Sequence, residues 1–586
     1  MEAARRRPRT ALFLTVVFGL STWGAMAGGP PKDICSAVDE AKRFKAEEAS
    51  HLLRRLEILS NAEAAGVQAA QPLDVLHYDL DLRLDPAGRT IQGTVTMSFH
   101  PTQALSHLKM RLHKDLSVSE IRLDGIAMEG AKHKRASIKI AFDPPLLPDA
   151  THEISVTYNG RPPSIGSLDG GMMFASHQGV PSATTLSEPF ASYAWWPCID
   201  DLSDKCTMDM ELTVPPGMVG ASNGMLVASY PNPDGWTTFH WSEAYPLSNY
   251  LISANVTNYA TFSDSYLGLD GSTTMPLDYF VYPEHQARAM VNVVAVPDMI
   301  RLFASLVGEY PFLAEKYGMV EFPWGGGMEH QTLTSMGDAY LGGSGDYEVI
   351  YAHELAHQWW GDDVTCGTWN DIWLNEGFAT YFEILWLAHS THLSEGYLID
   401  RYYDDHQWKG YMGGAVYMKN GNRPFDDTGA VYDKGAWILH MLRRVMGEGP
   451  FWQALKAYRV AHAYGNATTA DFQSVCEAAY GEPLDWFFDQ WVYTPKRPIY
   501  SLSFSQEGSS VVVTLSQRQK QKVKNRTADR NVYLMPIDLT LHCEDGTSQT
   551  FTVHNDQRRQ TFAFQSDKPI VDVGLDEDHW ILKVER

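Results

Sequence analysis

Two histidines stand four residues apart in Val349-Ile350-Tyr351-Ala352-His353-Glu354-Leu355-Ala356-His357-Gln358-Trp359-Trp360. At 100° per residue, a helix puts His353 and His357 about 40° apart on one face, where both imidazoles reach a single ion. Glu376 follows His357 by nineteen residues, within Trp373-Leu374-Asn375-Glu376-Gly377-Phe378-Ala379, and a second helix can bring its carboxylate against the first. Two His and one Glu leave one position of a tetrahedral Zn2+ open to water, which is the arrangement of a catalytic ion. Glu354 is turned 100° from His353, so its carboxylate can lie beside that water without binding the metal. There it would take the water's proton and later deliver it to a leaving amine. The residues therefore imply amide hydrolysis with one Zn2+ per chain. The competing reading is a pair of core histidines on an apolar helix, but a chain of this composition shows the full spacing by chance only about twice in a thousand.

Endopeptidases and exopeptidases share this machinery, and the segment that separates them lies about 25 residues upstream, in Trp324-Gly325-Gly326-Gly327-Met328-Glu329-His330. Without a Cβ, the glycines let backbone approach backbone or substrate closely. Glu329 beside them can bind the ammonium of a free N-terminus; the alternative is an ordinary turn with a solvated Glu. No Gly-Lys-Ser/Thr follows, which excludes a phosphate loop.

HELAHQWWGD, the NEGFA that places Glu376, and the preceding GGGMEH together resemble the aminopeptidase N and leukotriene-epoxide hydrolase family of zinc peptidases (gluzincins). The resemblance covers the chain beyond its leading segment. It implies that Glu329, with Gly326, Gly327 and Met328, forms the loop that holds the substrate's α-amine, and that Glu188 in Leu186-Ser187-Glu188-Pro189 is a second anchor. It also implies that Tyr432 in Val431-Tyr432-Asp433-Lys434-Gly435-Ala436 hydrogen-bonds the tetrahedral oxyanion. The sequence departs from the family in two places: His330 stands where Asn is usual, and the expected Arg between Glu188 and Trp196-Pro197-Cys198 is missing, with Tyr193 near its place. Glu383, two turns beyond Glu376, is a candidate to orient a ligating histidine; Asn375 and Asp371 are weaker ones. The expected substrates are peptides with a free N-terminus. A thermolysin-type zinc endopeptidase is the alternative, and a non-catalytic peptide-binding protein on the same fold is the option from another class. Nothing beyond the common motifs supports an epoxide hydrolase side activity.

The elements that must position these residues are legible from their periods. Alternation at His77–Leu84, Thr94–Phe99, Ile138–Phe142 and His152–Tyr158, broken by Gly, Pro and Asp, predicts antiparallel β-structure to about residue 281. Helices are expected at Ala287–Leu306, Tyr347–Trp360, Gly377–His389, Gly435–Met446 and Phe451–Ala463. Strands resume at Tyr500–Phe504, Ser510–Leu515, Tyr533–Leu541 and Gln549–Val553. The fold class is multidomain α+β, and the resemblance implies a β saddle domain (71–281), a thermolysin-like, mainly helical zinc domain (282–495) and a small β-sandwich (496–586); the strand pattern at Ile581-Leu582-Lys583-Val584 leads us to expect no C-terminal helical repeat domain of the kind larger members carry.

Ahead of these, Arg5, Arg6, Arg7 and Arg9, an apolar run from Ala11 to Trp23, and Ala25-Met26-Ala27 read as a signal peptide over residues 1–27. The alternative is an uncleaved anchor, for which the run falls short of the ~20 residues of a spanning helix. Residues 28–70 hold a leading amphipathic helix. The chain is thus expected to be exported, periplasmic or extracellular, with no stable transmembrane span in its mature form.

The 586 residues carry 71 Asp plus Glu against 47 Lys plus Arg, a net charge of −24. So acidic a surface repels phosphate backbones, and no nucleic acid partner is expected. The six cysteines are scattered; Cys198 and Cys206 are the closest pair and the one candidate disulfide, the alternative being buried free thiols. Oligomeric state is open.

Overall fold

A computed structural model describes residues 71–165, 170–345, 347–402, 412–519 and 532–586. The signal and the leading helix expected over residues 1–70 lie outside the described residues.

The N-terminal part is built on an eight-stranded sheet, ordered Met225–Pro231, Thr237–Leu247, Cys206–Val214, Leu73–Asp85, Thr90–Pro101, His152–Gly160, Leu116–Leu123 and Ile126–Ala127. Alternation sets its faces: Leu80, Leu82 and Leu84 are buried while Asp79 and Asp81 point outward. The expectation of purely antiparallel structure needs one correction, because Leu73–Asp85 pairs in parallel with Cys206–Val214 at the centre of this sheet. Period-2 patterning reports which face a residue takes, not the direction of its neighbour strand. A second, five-stranded sheet (Val219–Ser222, Ala254–Thr257, Val180–Leu186, Gly170–His177, Ser164–Ile165) ends close to Glu188.

A further five-stranded sheet runs Ala260–Leu267, Thr274–Val281, Tyr317–Phe322, Thr334–Gly337, Gly327–Met328. It joins strands on both sides of residue 282, so the sheet that carries the glycine loop begins upstream of the expected boundary. The helices of the central part match their patterns in place but not always in length. The run expected as one helix at Ala287–Leu306 is two, Gln286–Asn292 and Val296–Val307. Pro297 opens the second, since it has no N–H to give and disfavours helical backbone before it. Gln286–Val307 is long and apolar enough to cross a membrane by length and composition alone, with mean hydropathy 1.6. In the structure it is broken at residues 293–295, and Met299, Ile300 and Phe303 of its second half are packed into the core.

The C-terminal part is a sandwich of a four-stranded sheet (Arg559–Gln565, Ser510–Gln517, Ile499–Glu507, Val584–Glu585) and a three-stranded one (Ser548–His554, Pro536–Cys543, Ile570–Leu575). Val511, Val513 and Leu515 are buried, as are Ile537, Leu539 and Leu541. It is locked to the helical part by Arg444 against Asp538 at 2.7 Å and by His440 stacked on Trp580 at 4.6 Å. No helix is found among its described residues.

Cys198 and Cys206 are both buried free thiols, so the candidate disulfide is not formed. Each is held in a separate element: Cys198 exchanges backbone hydrogen bonds with Arg111, and Cys206 opens the central strand Cys206–Val214.

Candidate active site

The HExxH helix spans Glu348–Ala356, shorter than expected. His357 keeps helical angles as its C-terminal cap, and Gly361 then turns the chain at φ +139°, a conformation that favours glycine. The second helix, Trp373–Thr391, lies against the first and carries both Glu376 and Glu383. Together they bring three ligand atoms to one point. The two histidine Nε2 atoms are 3.0 Å apart, and Glu376 Oε2 lies 3.4 Å from that of His353 and 3.3 Å from that of His357. Ligands about 2.0–2.1 Å from a tetrahedral Zn2+ stand roughly 3.3–3.4 Å apart, so the cluster has the size of a zinc site.

The proton positions confirm the fit. His353 Nδ1 is 2.6 Å from Glu383 Oε1 and His357 Nδ1 is 2.9 Å from the Trp360 carbonyl. Both partners only accept, so each Nδ1 carries the ring's proton and each Nε2 of a neutral ring presents a lone pair. Glu376 Oε2 is buried with no hydrogen-bond partner. Three lone pairs facing one another in a dry pocket require a cation. Burial by itself lowers the affinity of both imidazoles for a proton, yet Glu376 outweighs it, aided by Glu383 at His353 and by Glu329 at His357, and both are raised. The same histidines hold the Glu376 carboxyl down, to about 2, against the opposing effect of burial. These are the only His, Cys, Asp or Glu side chains among the described residues grouped closely enough to hold a metal.

Around this centre the structure places the remaining expected residues. Glu354 is 2% exposed and packs on the glycine loop, where a Cβ on Gly327 would fall 2.2 Å from its Oε1. Gly326 is as constrained, since its Cβ would enter the Trp324 ring at 2.2 Å. Gly327 and Met328 form the short edge strand that delivers Glu329. Glu329 is buried, and its Oε1 accepts a hydrogen bond from the Tyr250 hydroxyl at 3.3 Å. Burial raises its carboxyl, and nearby Glu376 adds to that, while His357 and His353 oppose it. Glu188 is also buried and acts on the same hydroxyl: burial first, then Glu329 and Glu188, push Tyr250 well above its usual value.

Tyr432 sits in a π-helical turn, Ala430–Lys434, with its ring stacked on that of His353 at 5.9 Å and 14°. A π-turn is rare and recurs at functional sites. What sets its position is a contact between backbones: a Cβ on either Gly377 or Gly435 would lie 2.8 Å from the other's Cα. The glycines that close NEG and YDKG are thus one feature, which seats the turn of Tyr432 against the helix that carries Glu376.

The two departures from the family pattern are each absorbed locally. His330 donates to or accepts from Ser335 Oγ at 2.8 Å and is fully buried, which pushes its imidazole down to about 3. It is neutral and adds no charge next to Glu329. Near Tyr193 an arginine does stand, supplied by Arg111, whose guanidinium lies 3.7 Å over the Tyr193 ring and pairs with Asp200.

Of the candidates to orient the ligands, Glu383 does so. Asn375 does not reach a ligating histidine: its Oδ1 accepts from Cys366 N at 3.0 Å and its Nδ2 reaches the Tyr250 hydroxyl at 3.5 Å. Asp371 instead accepts from Thr469 N and Oγ1 at 2.9 and 2.7 Å. Sequence reasoning missed Tyr250 and Gln358. Tyr250 is one of 28 tyrosines and carries no local signal. Gln358 had one, a long polar side chain directly after the second histidine and followed by Trp359 and Trp360.

Comparison with known proteins agrees with this geometry. The Peptidase M1 N-terminal domain pattern matches residues 74–251 and the Peptidase family M1 domain pattern matches residues 299–491. Glutamyl aminopeptidase of Sus scrofa is 22% identical over 531 residues, covering 85% of this chain and 55% of that protein. Aminopeptidase M1 of Arabidopsis thaliana is 25% identical, covering 72% of this chain and 50% of that one. The chain therefore spans about half the length of these relatives. The crystal structure of an M1 zinc metallopeptidase from Deinococcus radiodurans superposes with a TM-score of 0.65 at 26% identity, over 73% of this chain and 95% of that one. A mutant of it bound to a Tyr-Ser-Ala substrate matches equally well, at TM-score 0.65 and 26% identity, over 72% of this chain and 94% of that one. With both family patterns in register with the zinc cluster and the β-domain that flanks it, the chain belongs to peptidase family M1.

Proposed function

We propose that this protein is a zinc aminopeptidase that removes the N-terminal residue of peptides. The observation that carries the reading is Glu329, a buried carboxylate that is not a metal ligand yet faces the metal cluster closely enough for His357 and His353 both to oppose the upward push of burial on its carboxyl. An ammonium group placed there gains a charged partner in a dry site, and it does so only if the peptide's N-terminus is free. Glu188 acts on the same pocket as a second anchor. Solved relatives support this assignment, since a mutant of the Deinococcus metallopeptidase holds a Tyr-Ser-Ala substrate and a mutant two-domain M1 zinc metallopeptidase holds the free amino acid L-tryptophan.

His353, His357 and Glu376 would hold Zn2+, which supplies a Lewis acid for the scissile carbonyl and lowers the pKa of water beside it. Glu354 takes the water's proton and passes it to the leaving amine. The Tyr432 hydroxyl, on a ring stacked against that of His353, donates to the oxygen that becomes negative. Glu329 fixes the register, so that only the first peptide bond falls beside Glu354. Residues 71–281, 282–495 and 496–586 serve as the β-domain, the catalytic domain and the closing sandwich, and the basic and apolar pattern of residues 1–27 supports export.

The test is hydrolysis of an amino-acid arylamide and of its N-acetyl derivative, each with and without a zinc chelator. Hydrolysis of the free form alone, abolished by chelation and restored by Zn2+, is expected. Equal rates on the two would refute the exopeptidase assignment, because acetylation leaves Glu329 buried and unpaired.

A further inference from the structure

We infer that Gln358 is the positioning residue that sets the separation between the metal cluster and the amine anchor Glu329. This rests on the aminopeptidase reading.

Gln358 follows the ligand His357 and is fully buried. Its amide is saturated. Oε1 accepts from the Thr332 backbone N–H at 2.9 Å and from the Tyr310 hydroxyl at 3.0 Å. Nε2 donates to the Glu329 carbonyl at 3.3 Å and to Asp362 Oδ2 at 2.7 Å. The orientation is unambiguous, because a backbone N–H can only donate and a carbonyl can only accept. One side chain on the metal-binding turn therefore grips the glutamate's own peptide unit and a second point three residues further on.

The turn it grips does not hold itself. Thr332 is β-branched and sits at φ +62°, in the left-handed region, where such a residue persists only if its surroundings over-determine it. Here those surroundings are the Gln358 contact to its N–H, Glu243 accepting from its Oγ1 at 2.9 Å, and Lys316 donating to its carbonyl at 3.3 Å. Of these, only Gln358 belongs to the segment that carries a metal ligand. The far end of the amide is anchored in turn, since Lys205 of the N-terminal β-domain donates to the Asp362 and Asp363 carbonyls at 2.6 and 3.0 Å. The histidines do not depend on this link, being oriented by Glu383 and the Trp360 carbonyl. Loss of the amide frees the anchor while the metal cluster stays.

Two inhibitors separate these effects: acetohydroxamate, which can bind only the metal, and an amino-acid hydroxamate, which adds a free α-amine. The ratio of their inhibition constants measures how well the anchor is placed relative to the zinc. In Gln358→Met the preference for the amine-bearing inhibitor is expected to fall about ten-fold or more, with zinc content and acetohydroxamate inhibition unchanged. Gln358→Glu, of the same size and keeping the two acceptances at Oε1, sets an acceptor against the Glu329 carbonyl and Asp362 and is expected to lose the preference as well. An unchanged ratio in both variants, including one in which the two inhibitors weaken equally, overturns the assignment. If the unaltered enzyme shows no preference for the amine-bearing inhibitor, it is the aminopeptidase reading that fails instead.

Discussion

Replacing Gly377 with Ala would put a Cβ 2.8 Å from Gly435 Cα, 3.0 Å from its carbonyl carbon and 3.3 Å from the Val431 carbonyl oxygen. Carbon atoms rest at about 3.5–4.0 Å, so the Trp373–Thr391 helix and the turn carrying Tyr432 must part by about 1 Å. Overpacking of this kind costs about 1–3 kcal/mol, and Ala in place of Gly in a helix returns up to about 1 kcal/mol. The net loss of stability is then ~0–3 kcal/mol, a fall in Tm of up to about ten degrees for a domain of this size. Catalysis should suffer far more. Glu376 immediately precedes Gly377 and Tyr432 lies three residues before Gly435, so the same 1 Å is applied between the Glu376 carboxylate and the proposed oxyanion donor. Misplacement of that order is expected to lower kcat about 10²-fold. Steady-state kinetics on an arylamide, with zinc content and thermal unfolding measured on the same preparation, test this. A Gly377→Ala enzyme with kcat within two-fold of the original would show that the glycine contact does not set the position of Tyr432.

Three further outcomes are expected. Tyr432→Phe should lower kcat about 10²-fold with little change in KM, as befits a donor that acts only when charge develops, and an increase in KM with kcat intact would reject its role. Glu383→Gln should weaken zinc about 10-fold in a chelator competition, since the His353 N–H loses a charged acceptor; unchanged affinity would mean that the 2.6 Å contact does nothing for the ligand. Asp204 accepts from Val75 N, and burial raises its carboxyl from 3.8 to about 7. A carboxyl raised on folding contributes its full stability below 3.8 and loses it as pH climbs through 7. The stability of Asp204→Asn relative to the original should therefore rise between about pH 4 and 7 and level off above; a difference independent of pH would exclude this group as its source.

Much of the architecture was readable because period reports burial. The alternating runs became strands at their expected places, and Gly435–Met446 is a helix with the expected bounds. The failures have definite physical causes. Pro297 split a long apolar run that periodicity alone would have continued, and the HExxH helix gave way to a tighter turn after Ala356, ahead of the reversal at Gly361. The parallel pair Leu73–Asp85 with Cys206–Val214 joins segments some 130 residues apart, a partnership that no local pattern encodes.

For the site the division is just as clear. His353, Glu354, His357 and Glu376 announce themselves by spacing, because the helix converts sequence distance into angle and metal geometry demands that angle. Their chemistry was therefore available from the chain itself. The grip of Gln358, the Tyr250 hydroxyl between Glu329 and Asn375, and the contact of Gly377 with Gly435 were decided only when remote segments met. Ligand identity is a local property of a helix face. The distance from that face to the group that would hold the substrate's amine is a property of packing, and packing is settled by residues that carry no motif.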